Sequence, residues 1–370
     1  MNRLKKLAGN SYLHILLIGA ATLICFSRVL NSYFLADDFG EIKYVARIFE
    51  GDLNLLWSNF TGNYMQIPSM AVYRPWLLMS LLIDFGLWKT TAQGYYLTNL
   101  LHYFACGILI YLLLRKLTSY WGVLRSSLTA LSAALIFVAN PLHCESLSWV
   151  VGRVDIVCLT FYLTGLYLIP FYLDSKKKAY LAGALVAFIF AIFTKEMAIG
   201  LPVMAVVLAF LYNPLERPGI APAGSSTPLS FEPEFYDTDP PHQAPYSRKP
   251  ENNPVAILET TCKTVSSKAP AINQLAPLAQ LKARTRQALP VFLAFVPVTI
   301  AYFILRFITL GTFTGGYTGS IGASQLSSIF MKWLDPDSFF RIFYPFNYTE
   351  MADGGIYRTI ISIAYFLSFT

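Results

Sequence analysis

Apolar residues along this chain gather in long segments that are separated by short polar loops. These segments cover residues 12–30, 95–114, 126–141, 154–173, 179–194, 197–213 and 288–308, and a last one begins near Ile356. A helix needs about 20 apolar residues to cross a lipid bilayer. The pattern therefore predicts an all-α protein, a bundle of transmembrane helices that crosses the membrane several times.

One further apolar segment, residues 75–88, is too short to cross. It contains 14 residues, with Asp84 among them, and at 1.5 Å per residue it would extend about 21 Å against a hydrocarbon core of about 30 Å. We predict a re-entrant or surface helix inside a long first outer loop, residues 31–94, which also holds other juxtamembrane helices.

This assignment agrees with the distribution of basic residues, which favour the cytoplasmic side of membrane proteins. If residues 75–88 do not cross, the following basic groups all fall inside: Arg3, Lys5, Lys6, Arg115, Lys116, Arg125, Lys176, Lys177, Lys178, Lys282, Arg284 and Arg286.

Three regions follow from the pattern. Residues 1–213 form an N-terminal transmembrane module whose first outer loop carries the candidate chemistry. Residues 214–287 are rich in Pro, Ser, Thr and Ala without periodicity, which predicts a disordered cytoplasmic loop. Residues 288–370 supply further transmembrane helices, and the short final apolar segment predicts a C-terminal truncation.

Composition supports the membrane class and excludes others. Hydrophobic residues make up 55% of the chain, charged residues only 13%, and the mean hydropathy is +0.49, far from a soluble domain. The net charge of +7 comes from basic residues beside apolar segments, so we predict orientation signals and no nucleic-acid partner. The five cysteines show neither disulfide nor metal spacing.

The remaining ionisable residues gather at the outer ends of the predicted helices. The candidates are Asp37, Asp38, Arg74, His143, Glu145, Arg153, Asp155, Lys195 and Glu196. Ionisable groups at membrane depth are costly and usually functional. This one-sided distribution predicts an active face that is periplasmic, extracellular or ER-lumenal.

Each candidate also has a structural alternative. The adjacent acids Asp37 and Asp38 could simply begin a solvated loop, and Arg153 with Asp155 could be a polar pair at a helix start. His143 could hydrogen-bond to the backbone of a loop. Lys195 and Glu196 could belong to an ordinary turn.

A metal site is not indicated by spacing. Divalent cations such as Mg²⁺ and Ca²⁺ require several oxygen ligands, so a cation would bind only if Asp37, Asp38, Glu145 and Asp155 converge. A divalent cation therefore stays an alternative, and no other cofactor is predicted.

Three segments resemble one family. They are Tyr73-Arg74-Pro75 with Asp84, Gly94, Tyr95, Tyr96, Asn99 and His102; Asn140-Pro141 with His143, Glu145, Trp149, Gly152, Arg153 and Asp155; and Thr194-Lys195-Glu196-Met197. In order and spacing they are similar to the GT-C superfamily of integral membrane glycosyltransferases, in its protein O-mannosyltransferase-like branch with TPR-bearing members. Where that branch usually has His, this chain has Asn140 and Tyr96.

The resemblance implies a GT-C-type fold and an enzyme that moves a sugar, mannose in that branch, from a polyprenyl-phosphate donor, dolichyl or undecaprenyl. The acceptor would be a hydroxyl of a protein or glycan, and the anomeric configuration would invert. We predict Asp37 as the general base, since a hydroxyl becomes a good nucleophile as it loses its proton. Asp38 would be its catalytic neighbour and hold the acceptor, position a metal or tune the pKa of Asp37; the roles of the two acids could be exchanged. The other seven candidates would bind the donor phosphate or the acceptor.

Two other functions are compatible with the pattern. A transporter or lipid flippase would place ionisable groups near the bilayer midplane and show related halves, whereas here the charges gather at one surface. A bundle that only scaffolds a complex is the third alternative, and it would tolerate Asp37→Asn.

Overall fold

The computed structural model describes residues 10–67, 70–212 and 277–313, and in these ranges the protein is all-α, as predicted. Its helices are α1 Ser11–Phe26, α2 Asp38–Phe49, α3 Leu53–Thr61, α4 Pro75–Trp88, α5 Ala92–Leu117, α6 Val123–Val138, α7 Cys144–Ser148, α8 Arg153–Ser175, α9 Lys178–Thr194, α10 Gly200–Leu211 and α11 Pro277–Leu310. Short 3₁₀ helices cover Ser27–Asn31, Tyr64–Gln66, Ser119–Trp121, Pro141–His143 and Glu196–Ile199. The chain divides into two compact units, Met1–Tyr212 with Gln287–Thr370, and Asn213–Arg286. All packing described below lies within the first unit.

Within these ranges, four helices are long and apolar enough to cross a membrane: Ser11–Asn31, Ala92–Leu117, Arg153–Ser175 and Leu278–Leu310. A fifth is obtained if Val123–Val138 and Pro141–Ser148, bent by 49°, form one broken span. The two segments predicted at 179–194 and 197–213 form helices too, but shorter ones. Large apolar side chains such as Ile24, Ile136 and Ile308 point outward and are more than 70% exposed, as lipid contact requires and water would not favour.

Helices α5 and α8 form the centre of the unit. Helix α5 packs against α1, α6 and α8, and α8 packs against α9 and α10. Small residues permit the closest of these contacts: Ala184, Ala187 and Ala191 of α9 are buried, and Gly165 of α8 lies near the Ala184 carbonyl. Small residues at helix interfaces are typical of membrane bundles, because they let backbones approach closely.

Helix α4 has the predicted bounds, Pro75–Trp88, and lies against α2, α5 and α9. Proline at its first position suits a helix start, where the missing N–H is not needed. Its Asp84 carboxylate pairs with Arg153 of α8 at 2.6 Å, and both side chains are almost completely buried. This ion pair fixes the short helix to the central bundle.

The two ends of the unit differ in their charges. At one end, Lys116 of α5 pairs with Asp174 of α8 at 2.7 Å, and Tyr212 donates to both Asp174 oxygens at 2.8 and 3.0 Å. The opposite end carries the beginnings of α4 and α8 and the turn after α9. The candidate residues lie there.

The remaining predictions concern the later part of the chain. Residues 277–287, which were predicted to belong to the loop, form the first part of α11. Residues 214–276 and the last apolar segment, from Ile356, lie outside the described residues, so the predicted disorder and truncation stay predictions.

Candidate functional site

A cavity of about 760 Å³ opens at the end of the unit where the helix beginnings gather. Five of the candidate residues line it, namely Asp37, Arg74, Glu145, Asp155 and Lys195. Apolar and aromatic side chains complete the wall, among them Met65, Ile67, Met70, Leu77, Trp149 and Val154. Apolar surface combined with convergent polar groups is typical of a ligand pocket.

Asp37 is the exposed carboxylate at the start of α2. It has the N-cap position, but its side chain caps no backbone N–H, and among the described residues no hydrogen bond or ion pair engages it. Ala36, just before it, has a positive φ of 42°, which is uncommon for a residue with a Cβ. Asp37 itself has helical backbone angles, φ −66° and ψ −20°, and successive side chains of a helix point about 100° apart. The two acids therefore point in different directions, and the Asp37 carboxylate is available to a ligand.

Asp38 is buried and hydrogen-bonded, whereas the neighbouring Asp37 is exposed. It is 0% exposed, and its two oxygens accept hydrogen bonds from the N–H groups of Leu35 at 2.9 Å and Val151 at 3.0 Å. Burial raises the pKa of this carboxyl, while these backbone hydrogen bonds act in the opposite direction. Asp38 therefore joins the start of α2 to the loop before α8 and does not line the cavity.

Arg74 and Glu196 form an ion pair that extends to the last described helix. Arg74 donates to Glu196 Oε2 through Nε at 3.2 Å and Nη2 at 2.9 Å. Arg306 of α11 reaches Glu196 Oε1 at 3.4 Å and donates to the Ala71 carbonyl at 2.8 Å. Glu196 thus lies behind the cavity wall and holds two buried arginines, of which Arg74 faces the cavity.

Lys195 and Asp155 form a second ion pair at the cavity, between the turn after α9 and the first turn of α8. Asp155 lies at the helix N-terminus, where the helix dipole favours a negative charge. Glu145, on α7, is exposed and lines the same cavity. A shared cavity puts Lys195 and Asp37 at the same end of the bundle.

Like Asp38 and Glu196, two further predicted site residues do not line the cavity. Arg153 is 0% exposed; besides its ion pair with Asp84, it donates to the carbonyls of Val150 and Tyr95, each at 3.2 Å. His143 is half-buried, and its Nδ1 hydrogen-bonds the Tyr103 hydroxyl at 2.8 Å. Both residues contact protein groups that shape the loop rather than the cavity itself.

The loop between α6 and α8 is held by residues whose role the sequence did not reveal. Tyr96 is fully buried, and its hydroxyl lies 2.7 Å from the Tyr33 carbonyl and 3.3 Å from that of Ser148. At Gly152, a Cβ would come within 2.9 Å of the Glu145 carbonyl oxygen, so only glycine lets this loop close. Tyr96, noted as a departure from the family pattern, therefore connects the two loops that flank the cavity.

One carboxylate of the cavity wall was not among the predicted site residues. Glu41, one turn after Asp37 on α2, lines the cavity although it is only 8% exposed, and it accepts a hydrogen bond from Tyr64 at 2.8 Å. Burial raises the pKa of Glu41 to about 8, with Asp38 and Asp37 adding to the effect. A helical spacing of four residues from Asp37 was the signal that could have identified it.

The carboxylates in the described part of the chain are not grouped as ligands for a divalent cation. No group of three or more His, Cys, Asp or Glu side chains there is arranged to hold a metal ion. Asp38 is engaged with the backbone and Asp155 with Lys195, so the four carboxylates named above do not form a common ligand set.

The fold and the cavity define a multi-helix membrane protein with a polar site at one end of its bundle, and comparison with curated proteins adds a resemblance. The chain is 29% identical over 160 residues to the protein O-mannosyl-transferase TMTC4 of Mus musculus, which covers 40% of this chain and 22% of that protein. It is 27% identical over 152 residues to the protein O-mannosyl-transferase Tmtc1 of Drosophila melanogaster, with 39% and 16% covered. The human TMTC1 enzyme is similar at 27% over 154 residues.

The matched segment is thus less than a quarter of the length of these relatives. No family model matches the chain, and no solved structure matches it.

Proposed function

We propose that this protein is a membrane glycosyltransferase. It moves a sugar, mannose in the similar enzymes, from a polyprenyl-phosphate donor to a hydroxyl of a protein or glycan, with inversion at the anomeric carbon. The observation that carries the proposal is a cavity lined both by Asp37, a carboxylate without a partner among the described residues, and by two cations, Arg74 and Lys195.

Asp37 is the general base of the proposed reaction. It accepts the proton of the acceptor hydroxyl as the oxygen attacks the anomeric carbon, while the bond from that carbon to the phosphate oxygen breaks. A direct displacement of this kind inverts the sugar. Asp37 suits the role because it is exposed to the cavity and has no partner among the described residues that would compete for the proton.

Arg74 and Lys195 bind the donor phosphate, whose negative charge grows as it leaves. Preorganised cations stabilise such developing charge strongly in a partly dehydrated site. Glu196 and Asp155 hold these cations in place before the donor binds. Arg306 and Arg153 act behind the cavity, as groups that position Glu196 and the loop before α8.

We place the cavity on the extracytoplasmic side, in the periplasm, outside the cell or in the ER lumen. The supporting observation is that Arg115 and Lys116 end α5, and Lys176 and Lys177 follow α8, at the end of the unit opposite to the cavity. The positive-inside rule then orients the protein.

Transfer by the purified protein tests this function. The full chain in lipid nanodiscs is incubated with radiolabelled polyprenyl-phosphate mannose and a Ser/Thr-rich peptide or a glycan acceptor. We expect labelled acceptor with the α-linkage when the donor is β-linked. Flux of the lipid across vesicles without sugar transfer would instead support the transporter alternative. If neither flux nor sugar transfer is detected, the scaffold alternative is supported.

Replacing Arg74 tests the phosphate contact. Arg74→Gln should raise the KM for the donor by about 10- to 100-fold, since a hydrogen bond to a charged group contributes about 1.5–3 kcal/mol. Arg74→Lys should recover only part of the loss, because lysine lacks the planar fork that reaches Glu196 and a phosphate together. A donor KM that is unchanged in both variants, measured by initial rates, would remove Arg74 from the phosphate site.

A further inference from the structure

Glu41 is a buried carboxyl that the proposed reaction does not yet use. Its Oε2 accepts the Tyr64 hydroxyl at 2.8 Å, and within the described ranges no donor contacts Oε1. Glu41 lines the cavity, and its backbone N–H is bonded to the Asp37 carbonyl at 3.1 Å. Glu41 therefore lies one helical turn from the proposed base, and one of its oxygens has no partner among the described residues that would compete with a ligand.

Burial is the main cause that disfavours the ionised form of Glu41 and raises its pKa; Asp38 and Asp37 add to it, whereas the Tyr64 hydrogen bond and Arg153 act in the opposite direction. Asp37 and Asp38 lie at the start of the same helix, and in the described part of the chain the Tyr64 hydroxyl is the hydrogen-bond partner of the Glu41 carboxyl. The other charged or titratable groups that face this region from neighbouring elements are Tyr44, Arg74, Asp84, Glu145, Arg153, Asp155 and Lys195. Of these, Arg153 is paired with Asp84, Lys195 with Asp155 and Arg74 with Glu196, so each nearby cation already has a carboxylate partner.

We propose that Glu41 is a ligand-binding residue of the cavity that acts in its neutral form, donating the hydrogen bond of its carboxylic acid to an oxygen of the bound phosphosugar. A neutral Glu41 adds a donor to the site without adding negative charge beside an anionic lipid phosphate. Burial raises its pKa to about 8, so the neutral form predominates at pH 7. This inference rests on the proposed function for the identity of the ligand.

The protonation state can be tested without activity. A carboxyl whose pKa is raised on folding binds a proton in the native state and not in the unfolded state at intermediate pH, so stability falls as the pH rises through that range. For Glu41 the range runs from its ordinary pKa of 4.5 to about 8. The wild-type melting temperature should therefore fall between pH 5 and pH 8 more steeply than that of Glu41→Gln, which has no proton to lose.

The ligand contact is tested by binding of a short-chain polyprenyl monophosphate, followed by the fluorescence of Trp149 and the other tryptophans. If only the neutral form binds, wild-type affinity should fall by about tenfold from pH 7 to pH 9. The pKa of about 8 lies in the middle of this interval, and affinity changes at most tenfold per pH unit above the pKa. In Glu41→Gln, whose amide also donates, the fall should be absent, so titration of the probe itself is controlled for. Glu41→Ala should bind weakly at both pH values.

The outcomes separate the two claims. Parallel melting curves for wild type and Glu41→Gln would show that Glu41 is ionised, and this would overturn the inference. Equal loss of lipid affinity with pH in both proteins would overturn the ligand contact. Binding that follows the expected pattern without any sugar transfer would leave Glu41 in place and refute the proposed glycosyltransferase function instead.

Discussion

Asp37→Asn should reduce the turnover number for sugar transfer by about 10²- to 10⁴-fold, the range that a positioned general base contributes. Asparagine has the same size but cannot accept the proton of the acceptor hydroxyl. Because the Asp37 carboxylate is exposed and caps no backbone group, the melting temperature of the variant should equal that of the wild type. Initial rates and thermal unfolding of the same preparation measure both quantities.

Asp38→Asn is the matched control, one position away. Its amide group has one acceptor oxygen where the carboxylate has two, so the N–H of Leu35 or of Val151 loses its partner. A buried N–H without a partner costs about 1–3 kcal/mol, and we expect a lower melting temperature with transfer retained by the folded fraction. The reverse result, a stable Asp38→Asn without activity and an active Asp37→Asn, would assign the base to Asp38.

A second control tests whether the loss of a carboxylate outside the cavity also lowers turnover. Asp52 pairs with Arg47 at 3.0 Å in an exposed ion pair outside the cavity lining. Asp52→Asn should change neither turnover nor melting temperature measurably, because exposed pairs contribute about 0–1 kcal/mol.

The helices could be predicted from the sequence because hydrophobicity determines them. The bounds of α4, Pro75–Trp88, follow from a proline that can begin a helix and from the end of an apolar segment. The early start of α11 could not be predicted from the sequence, because residues 277–287 are too polar to resemble a transmembrane segment. They are nevertheless helical, as an extension of the apolar helix that follows them. Helix formation is cooperative, so a strong apolar segment extends into weaker neighbours.

The site was harder to predict, because its members come from distant parts of the chain. Asp37 and Lys195 are recognisable as outer charges, but their meeting in one cavity depends on how α1, α8 and α9 pack. The different roles of Asp37 and Asp38 depend on which carboxylate is buried against the loop before α8, and two adjacent acids in a sequence do not show this. Arg306 and Glu196 were separated by the long loop, so their ion pair had no sequence signal.

Burial also determines whether a charged residue binds a ligand or holds the fold together. Arg153 was predicted to bind substrate, since an ionisable residue at membrane depth is usually functional. In the structure its guanidinium faces Asp84 and two carbonyls, where it fixes α4 and the loop before α8. The sequence contained the partner, Asp84 in an apolar helix, and a buried acid requires a buried cation.

The Arg153–Asp84 pair should therefore dominate stability in this region. Arg153→Met would leave the Asp84 carboxylate buried without its cation, at a cost of about 3–5 kcal/mol, and we expect a large fall in melting temperature and in folded yield. Arg47→Met, which breaks the exposed pair with Asp52, is the matched control and should be nearly neutral. The double variant Arg153→Met/Asp84→Leu should be more stable than Arg153→Met alone, because no uncompensated charge remains. A double variant that is no more stable than Arg153→Met, or equal effects of Arg153→Met and Arg47→Met, would mean that the pair does not fix α4 to the bundle.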